Sequence, residues 1–160
     1  MAYGAIDSPF GRLWLTASEK GLKGVCWSRL DVPAAGEAKN SKKERALLKK
    51  AAAQLQQYFS GRRKKFELPL DMEGTSFQKA VWRALINIGH GRTLSYKDVA
   101  ARIGRPRAVR AVGSANGKNP LCVIVPCHRV IASDGSIGGY SGGLRIKRDL
   151  LRLEGLQPEI

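Results

Sequence analysis

The feature of this sequence with the clearest chemical potential is a cysteine followed directly by a histidine, Cys127-His128. A cysteine reacts as its thiolate, and because the free thiol pKa lies near ~8.5, it needs an adjacent base or cation to react at neutral pH. Pro126 precedes the pair and ends strand pairing there. Since neighbours along a strand point apart, coupling between the two side chains requires a bend or a bridging water. A buried, unreactive cysteine is the commoner fate of this residue type, so the pair alone leaves both alternatives open.

The other cysteines and histidines indicate neither a disulfide framework nor a metal site. Cys26, Cys122 and Cys127 form an odd set without a CxxC pair. His90 and His128 do not add metal-ligand spacing. We therefore expect no structural zinc, no other metal and no cofactor.

A glycine-rich segment over 138–143 follows the Cys-His pair. It lacks the Walker lysine and the strand-loop-helix context of a dinucleotide fingerprint, which excludes nucleotide binding of those kinds. Dense glycine also suits a backbone that must approach a flat ligand closely. A nucleobase is one such ligand.

The elements before the pair predict a helix-turn-helix. Thr75 and Gln78 form a capping box that opens a helix ended by Gly89. Short helices follow over 96–103 and 106–115, joined by a glycine-containing turn. Four arginines lie on the polar face of this helix pair: Arg102, Arg105, Arg107 and Arg110. With no Asp or Glu between positions 98 and 134, the pair favours binding to DNA.

The remaining patterns predict an α+β protein in two domains. Strands are expected over 12–16 and 22–27, then a polar linker over 31–43 and a helix over 44–59. The apolar run 121–125 has strand length, and an amphipathic helix from 144 ends near Glu154. These elements divide the chain into a strand-and-helix half over 1–70 and a mostly helical half over 71–160.

Charge and hydropathy narrow the class of partner. The 160 residues carry 28 Lys and Arg against 13 Asp and Glu, a net charge of +15. Such an excess predicts attraction to a polyanion such as nucleic acid, although it also promotes solubility. No run approaches the ~18 apolar residues of a membrane span, and the first residues do not resemble a signal peptide. We expect a cytoplasmic protein without membrane contact.

The segment Ile124-Val125-Pro126-Cys127-His128-Arg129-Val130-Ile131 resembles the active-site signature of the O6-alkylguanine-DNA alkyltransferases, also called methylated-DNA–protein-cysteine methyltransferases. The resemblance extends from about Gly74 to Gly155, and only loosely to the first seventy residues. Further matching motifs are Phe77-Gln78, Val81-Trp82, Ser95-Tyr96, Arg110-Ala111-Val112-Gly113, Asn116-Gly117, Asn119-Pro120, Tyr140-Ser141-Gly142-Gly143-Leu144 and Glu154-Gly155. The resemblance implies a small antiparallel sheet-plus-helix domain over 1–70 and a mostly helical, winged-helix-like helix-turn-helix domain over 71–160. It also implies stoichiometric, irreversible transfer of an alkyl group from O6-alkylguanine, and from O4-alkylthymine, in double-stranded DNA to the protein's own cysteine.

The resemblance also implies roles for the catalytic residues. Cys127 would be the alkyl acceptor, His128 the base that deprotonates it through a water, and Glu154 the carboxylate that orients His128. A coupled unit of this kind is expected to lower the pKa of the Cys127 thiol. Tyr96 would donate a proton to the leaving base.

Binding roles follow from the same resemblance. The backbone around Val130 and Ser141 would hold the guanine, and Asn119 would tie the second helix of the pair to the active-site strand. Arg110 would fill the place of the extruded nucleotide, because a stacked base is closed to in-line attack. The matching motifs add Gly113 and Tyr140 to the binding residues, while Arg102, Arg105 and Arg107 would help the helix pair dock in the minor groove. We expect a monomer.

Three alternatives compete with this interpretation. A non-catalytic relative that binds alkylated DNA would lack the cysteine, which is present here. A cysteine hydrolase would need an oxyanion hole, for which no second signature exists. A helix-turn-helix regulator leaves the segment from Pro126 to Arg129, and Glu154, without a role.

Overall fold

A computed structural model describes residues 1–32 and 40–158, and the chain divides into two compact units, Met1–Glu73 and Gly74–Ile160. Each unit has its own arrangement of elements. Together they confirm the predicted α+β class, with a small antiparallel sheet and helix first and a mostly helical unit second. No helix among the described residues is both long and apolar enough to cross a bilayer.

In its described residues, the first unit consists of a three-stranded antiparallel sheet, a short 3₁₀ turn and one long helix. Strands β1 (Ala2–Ser8), β2 (Gly11–Ala17) and β3 (Leu22–Cys26) lie in sequence order, and Trp14 pairs with Ala5 on one side and Cys26 on the other. Helix α1 (Lys42–Phe59) begins at a capping box formed by Ser41 and Glu44. It packs on the sheet through a fully buried core: Leu13, Leu15, Ala51, Leu55 and Tyr58. Residues 33–39 of the predicted linker lie outside the described residues.

Within its described residues, 74–158, the second unit contains four α-helices, one 3₁₀ turn and two very short strands. Helix α2 (Ser76–Ile86) starts at the predicted capping box, strand β4 (Leu94–Ser95) leads into α3 (Tyr96–Arg102), and α4 (Val109–Gly117) follows. Strand β5 (Val130–Ile131) pairs in parallel with β4, and α5 (Leu144–Leu153) is the last helix. The buried indole of Trp82 donates to the carbonyl of Ala115 at 2.9 Å and so ties α2 to α4.

Helix α4 starts three residues later than the sequence predicted. The amide of Ala108 bonds the carbonyl of Arg105 at 2.9 Å, so Pro106 and Arg107 lie in a turn rather than in the first helical turn. Proline fixes its own φ at a value that a turn accepts as readily as a helix does. The helix-turn-helix is therefore a seven-residue helix and a nine-residue helix with a longer connection.

The predicted strand over 121–125 is wrong, because this segment folds into consecutive tight turns. Ile124 N–H bonds Cys122 O at 2.9 Å around Val123, whose φ of 72° is the left-handed conformation of a strained γ-turn. Cys127 N–H bonds Val125 O at 2.8 Å around Pro126, whose φ of −80° and ψ of 63° form an inverse γ-turn. The chain thus coils through this buried segment instead of extending through it.

Candidate active site

The two γ-turns present Cys127 at the start of a single 3₁₀ turn, Cys127–Arg129. Asparagine side chains at the end of α4 and just beyond it hold the backbone of this turn. Asn119 Nδ2 donates to Val125 O at 2.8 Å, and Asn116 Nδ2 donates to Cys127 O at 3.4 Å. These bonds fix Cys127, the candidate alkyl acceptor, to the end of α4, the second helix of the pair. The link through Asn119 reaches a turn and not the strand that was expected.

A small cavity of about 150 Å³ opens in front of Cys127. Cys127 is only 2% exposed, so this cavity is its way out to solvent. Ligand pockets for drug-sized molecules span roughly 300–1,000 Å³, so the space suits a single small ring system. The lining residues are Tyr96, Gly113, Asn116, Gly117, Cys127, Gly139, Tyr140 and Ser141.

Tyr96 forms one wall of the cavity from the first position of α3. Burial raises the pKa of its hydroxyl, partly opposed by a hydrogen bond with the backbone of Gly139 and supported by the nearby Cys127. Gly138 has a φ of +71°, and a Cβ at this position would lie 3.0 Å from Tyr96 Oη. Glycine is needed there both for its backbone conformation and for the close approach of the phenol.

A buried polar cluster lies beside the cavity, built on the carboxylate of Glu154 at the end of α5. His128 Nε2 lies 2.6 Å from Glu154 Oε2, and both side chains are fully buried. Arg129 donates from Nε to Oε1 at 2.7 Å and from Nη2 to Oε2 at 3.1 Å. The amide of Gly91 donates to Oε1 at 3.1 Å.

The charges of this cluster set the protonation of its members. Burial alone would raise the pKa of Glu154, but the hydrogen bonds and charges of His128 and Arg129 outweigh it and hold that pKa well below its usual range. Burial lowers the pKa of His128, Glu154 opposes the shift, and the charges of Arg129 and Lys147 reinforce it. The cluster therefore consists of an ionised carboxylate, a guanidinium and a neutral imidazole at pH 7.

The expected lowering of the Cys127 pKa is wrong for the protein without substrate. A hydrogen bond with the Cys122 side chain and burial raise the pKa of the Cys127 thiol well above its usual value, and Asn119 and Lys147 oppose the shift only in part. Cys122 also lies 3.6 Å (Sγ to Oγ) from Ser141, another wall of the cavity. Within the described residues no hydrogen bond joins Cys127 directly to His128, so the resting thiol is neutral and not yet coupled to the imidazole.

Lys147 is a buried cation that the sequence analysis missed. Its ammonium donates to Val130 O at 2.6 Å and to Gly139 O at 2.9 Å. Burial lowers its pKa to about 8, opposed by the charge of a Cys127 thiolate. The signal was present in the sequence, because position 147 lies three and four residues before the buried Leu150 and Leu151 and so shares their helix face.

The structure gathers most of the predicted site residues. Tyr96, Gly113, Cys127, Tyr140 and Ser141 share one cavity. His128 and Glu154 lie in the buried cluster, Asn119 bonds the turn, and the carbonyl of Val130 accepts a hydrogen bond from Lys147. The arginines of the helix pair are exposed and none of them lines the cavity: Arg102, Arg105, Arg107 and Arg110. Four residues of the site were not predicted: Asn116, Cys122, Arg129 and Lys147.

Comparison with known proteins gives matches over both units. The family model described as "6-O-methylguanine DNA methyltransferase, DNA binding domain" matches residues 76–156, and the model described as "6-O-methylguanine DNA methyltransferase, ribonuclease-like domain" matches residues 1–72. A methylated-DNA–protein-cysteine methyltransferase of Methanosarcina barkeri is 49% identical over 96% of this chain and 97% of its own length. A constitutive one of Bacillus subtilis is 43% identical over 95% of this chain and 94% of its own length. Among solved structures, Mycobacterium tuberculosis OGT in complex with DNA is 41% identical, with a TM-score of 0.82 over 95% of this chain and 91% of the other.

Proposed function

This chain belongs to the 6-O-methylguanine DNA methyltransferase family, and on that premise we propose that it repairs DNA by moving the alkyl group of O6-alkylguanine onto Cys127. The observation that carries the proposal is the position of Cys127, a buried thiol at the base of a small cavity beside a neutral, carboxylate-bound histidine. O4-alkylthymine offers the same type of carbon to a thiolate and is a second substrate.

The thiol loses its proton when the substrate is in place. His128 donates a hydrogen bond from Nε2 to Glu154, so its Nδ1 carries the free electron pair. Nδ1 has no hydrogen-bond partner among the described residues. Through a bridging water, Nδ1 takes the proton of Cys127. The Lys147 ammonium, whose charge favours the thiolate, supports this step.

The thiolate attacks the alkyl carbon, forms the C–S bond and breaks the C–O bond. The electron pair of that bond returns to the guanine, and the Tyr96 hydroxyl donates the proton that neutralises the departing base. The resulting thioether has no leaving path, so each protein molecule reacts once. A neutral resting thiol also protects Cys127 from electrophiles in solution, because the thiolate is the nucleophile.

The target base must leave the helix before it can enter the cavity. The exposed arginines of α3, α4 and their connection supply positive charge for the phosphates, and the pair docks in the minor groove. Arg110 on α4 is exposed and fills the space that the extruded nucleotide leaves. Backbone groups around Val130 and Ser141 hold the base, and Gly113 and Tyr140 complete its pocket.

We propose that the protein works as a monomer in the cytoplasm. None of its three cysteines forms a disulfide in the described part of the chain, and an acceptor that must stay reduced suits a reducing compartment. The boundary between the sheet unit and the DNA-binding unit falls near residue 70.

The test is the mass of the intact protein after reaction with duplex DNA that carries one O6-methylguanine. We expect one methyl group per molecule, located on Cys127 by peptide mapping, and restored guanine in the DNA. Cys127→Ala is the inactive variant, and Cys26→Ala is a matched control with full transfer. Methylation of another residue, or repair beyond one equivalent of protein, contradicts the proposal.

A further inference from the structure

Arg129, which follows the Cys-His pair, is buried and makes three side-chain hydrogen bonds. Two of them form a fork on Glu154, at 2.7 Å from Nε and 3.1 Å from Nη2. The third runs from Nη1 to the carbonyl of Ile88 at 2.6 Å, just beyond the end of α2. The guanidinium therefore connects the ends of α2 and α5 to the turn that carries Cys127.

The fork, together with two other hydrogen bonds, fixes the orientation of the Glu154 carboxylate. Each oxygen of Glu154 accepts at least two hydrogen bonds, Oε1 from Arg129 and Gly91, and Oε2 from Arg129 and His128. An arginine is always charged and an ionised carboxylate is an acceptor only. Held in this way, Glu154 stays ionised and its orientation is fixed, so His128 must donate from Nε2.

The positive charge of Arg129 has a second effect on His128. A lone buried carboxylate at 2.6 Å would favour the imidazolium, and an imidazolium cannot take a proton. Three charged groups act on His128: Glu154 raises its pKa, whereas Arg129 and Lys147 lower it, in addition to the larger lowering by burial. Because Arg129 balances the charge of Glu154, the carboxylate orients a neutral imidazole and does not act as the counter-ion of an imidazolium.

We infer that Arg129 is a positioning residue for alkyl transfer: its charge keeps His128 neutral, and its fork on Glu154 keeps the proton of His128 on Nε2 and the free electron pair on Nδ1. The inference rests on the proposed function, in which Nδ1 takes the proton of Cys127. This role differs from that of a purely structural ion pair, which would hold the helix ends together without affecting the protonation of His128.

The experiment compares Arg129→Gln, which removes the charge, with Arg129→Lys, which keeps a charge but loses the fork. Single-turnover methyl transfer is measured from pH 5 to pH 9, and ¹⁵N NMR of labelled histidine reports the tautomer of His128. Thermal melting identifies the variants that fold. The wild-type mass assay described above tests the proposed function separately, and the NMR reading of the wild type does not depend on transfer.

For Arg129→Gln we expect a rate at pH 7 reduced by at least about tenfold, because general-base catalysis contributes on that scale or more. We also expect the acidic limb of its pH profile to move to higher pH, with imidazolium visible by NMR at pH 7. For Arg129→Lys we expect a neutral His128 and a reduced rate, because the carboxylate loses its bidentate hold.

Two results overturn the inference. One is a folded Arg129→Gln variant in which the acidic limb of the pH profile and the tautomer of His128 equal those of the wild type, whatever its methyl-transfer rate. The other is an Arg129→Lys that transfers methyl groups at the full wild-type rate. If Arg129→Gln does not fold, the rate of Arg129→Lys decides.

Discussion

Replacing Cys122 by alanine is expected to make Cys127 more reactive. The Cys122 side chain hydrogen-bonds the Cys127 thiol in its neutral form, and this is the largest cause of the raised thiol pKa. An intramolecular hydrogen bond is worth about 1 kcal/mol net. Since 1.4 kcal/mol corresponds to a factor of ten, removing it increases the thiolate fraction about fivefold.

The transfer rate should follow the thiolate fraction. At pH 7, below the pKa of the thiol, we expect Cys122→Ala to transfer a methyl group from duplex DNA about fivefold faster than the wild type. Cys122→Ser is the matched control, because its hydroxyl keeps a hydrogen-bonding group beside Cys127 and should leave the rate near that of the wild type.

The assay is single-turnover transfer as a function of pH, together with limited alkylation by a thiol reagent and peptide mapping of Cys127. The alkylation profile of Cys127 should move to lower pH in Cys122→Ala and not in Cys122→Ser. A folded Cys122→Ala with an unchanged or raised midpoint would refute the assignment of Cys122 as the group that holds the resting thiol neutral.

Three further substitutions test other parts of the site. Arg110→Ala should slow repair of duplex DNA far more than reaction with free O6-benzylguanine, which needs no base extrusion; equal losses would place Arg110 in the pocket or the fold instead. Glu154→Gln leaves the buried Arg129 without a counter-ion and should cost about 3–5 kcal/mol in urea unfolding, with the transfer rate of the folded fraction reduced and DNA affinity unchanged; an equally stable variant would contradict the buried ion pair. Burial lowers the pKa of Lys147 from 10.5 to about 8, so keeping its ammonium buried is unfavourable below pH 8, and this penalty disappears as pH rises toward 10.5. The wild type should therefore gain stability relative to Lys147→Met between pH 8 and 10. A constant difference in urea midpoints would show that Lys147 does not titrate there.

Local chemistry in the sequence located the helices of the second unit well. The capping box of Thr75 and Gln78 and the cap at Ser95 set the starts of α2 and α3, and the amphipathic pattern from position 144 set both ends of α5. These signals act within one helical turn, so distant contacts do not override them. Pro106 misled the prediction for α4, because proline suits a turn as well as a first helical position.

The segment 121–125 shows where the sequence is ambiguous. A short apolar run fits a buried strand, but it fits buried turns equally well, since burial and not conformation selects its composition. Contacts with residues outside the segment, such as the Asn119 bond to Val125 O, decide between them. The strained φ of Val123 has no sequence signature at all.

Buried charges account for the rest of what the sequence did not predict. Arginine and lysine are almost always exposed, so neither Arg129 nor Lys147 was predicted in the site, although Lys147 shares the helix face of Leu150 and Leu151. The partners of the two cations include backbone carbonyls, of Ile88 for Arg129 and of Val130 and Gly139 for Lys147. Carbonyl acceptors exist at every position and leave no mark on composition or spacing.

The bonds that build the buried cluster join residues far apart in the chain. Gly91 and Glu154 are 63 positions apart, Ile88 and Arg129 are 41, and His128 and Glu154 are 26. Contacts of such separation form only after the entropy of closing long loops has been overcome, which places them late in folding. A chain that has not completed the second unit therefore has an ordinary cysteine at position 127 and no base to activate it. Because each folded molecule accepts one alkyl group, the yield of labelled protein at saturating damaged DNA counts the correctly folded molecules in a sample.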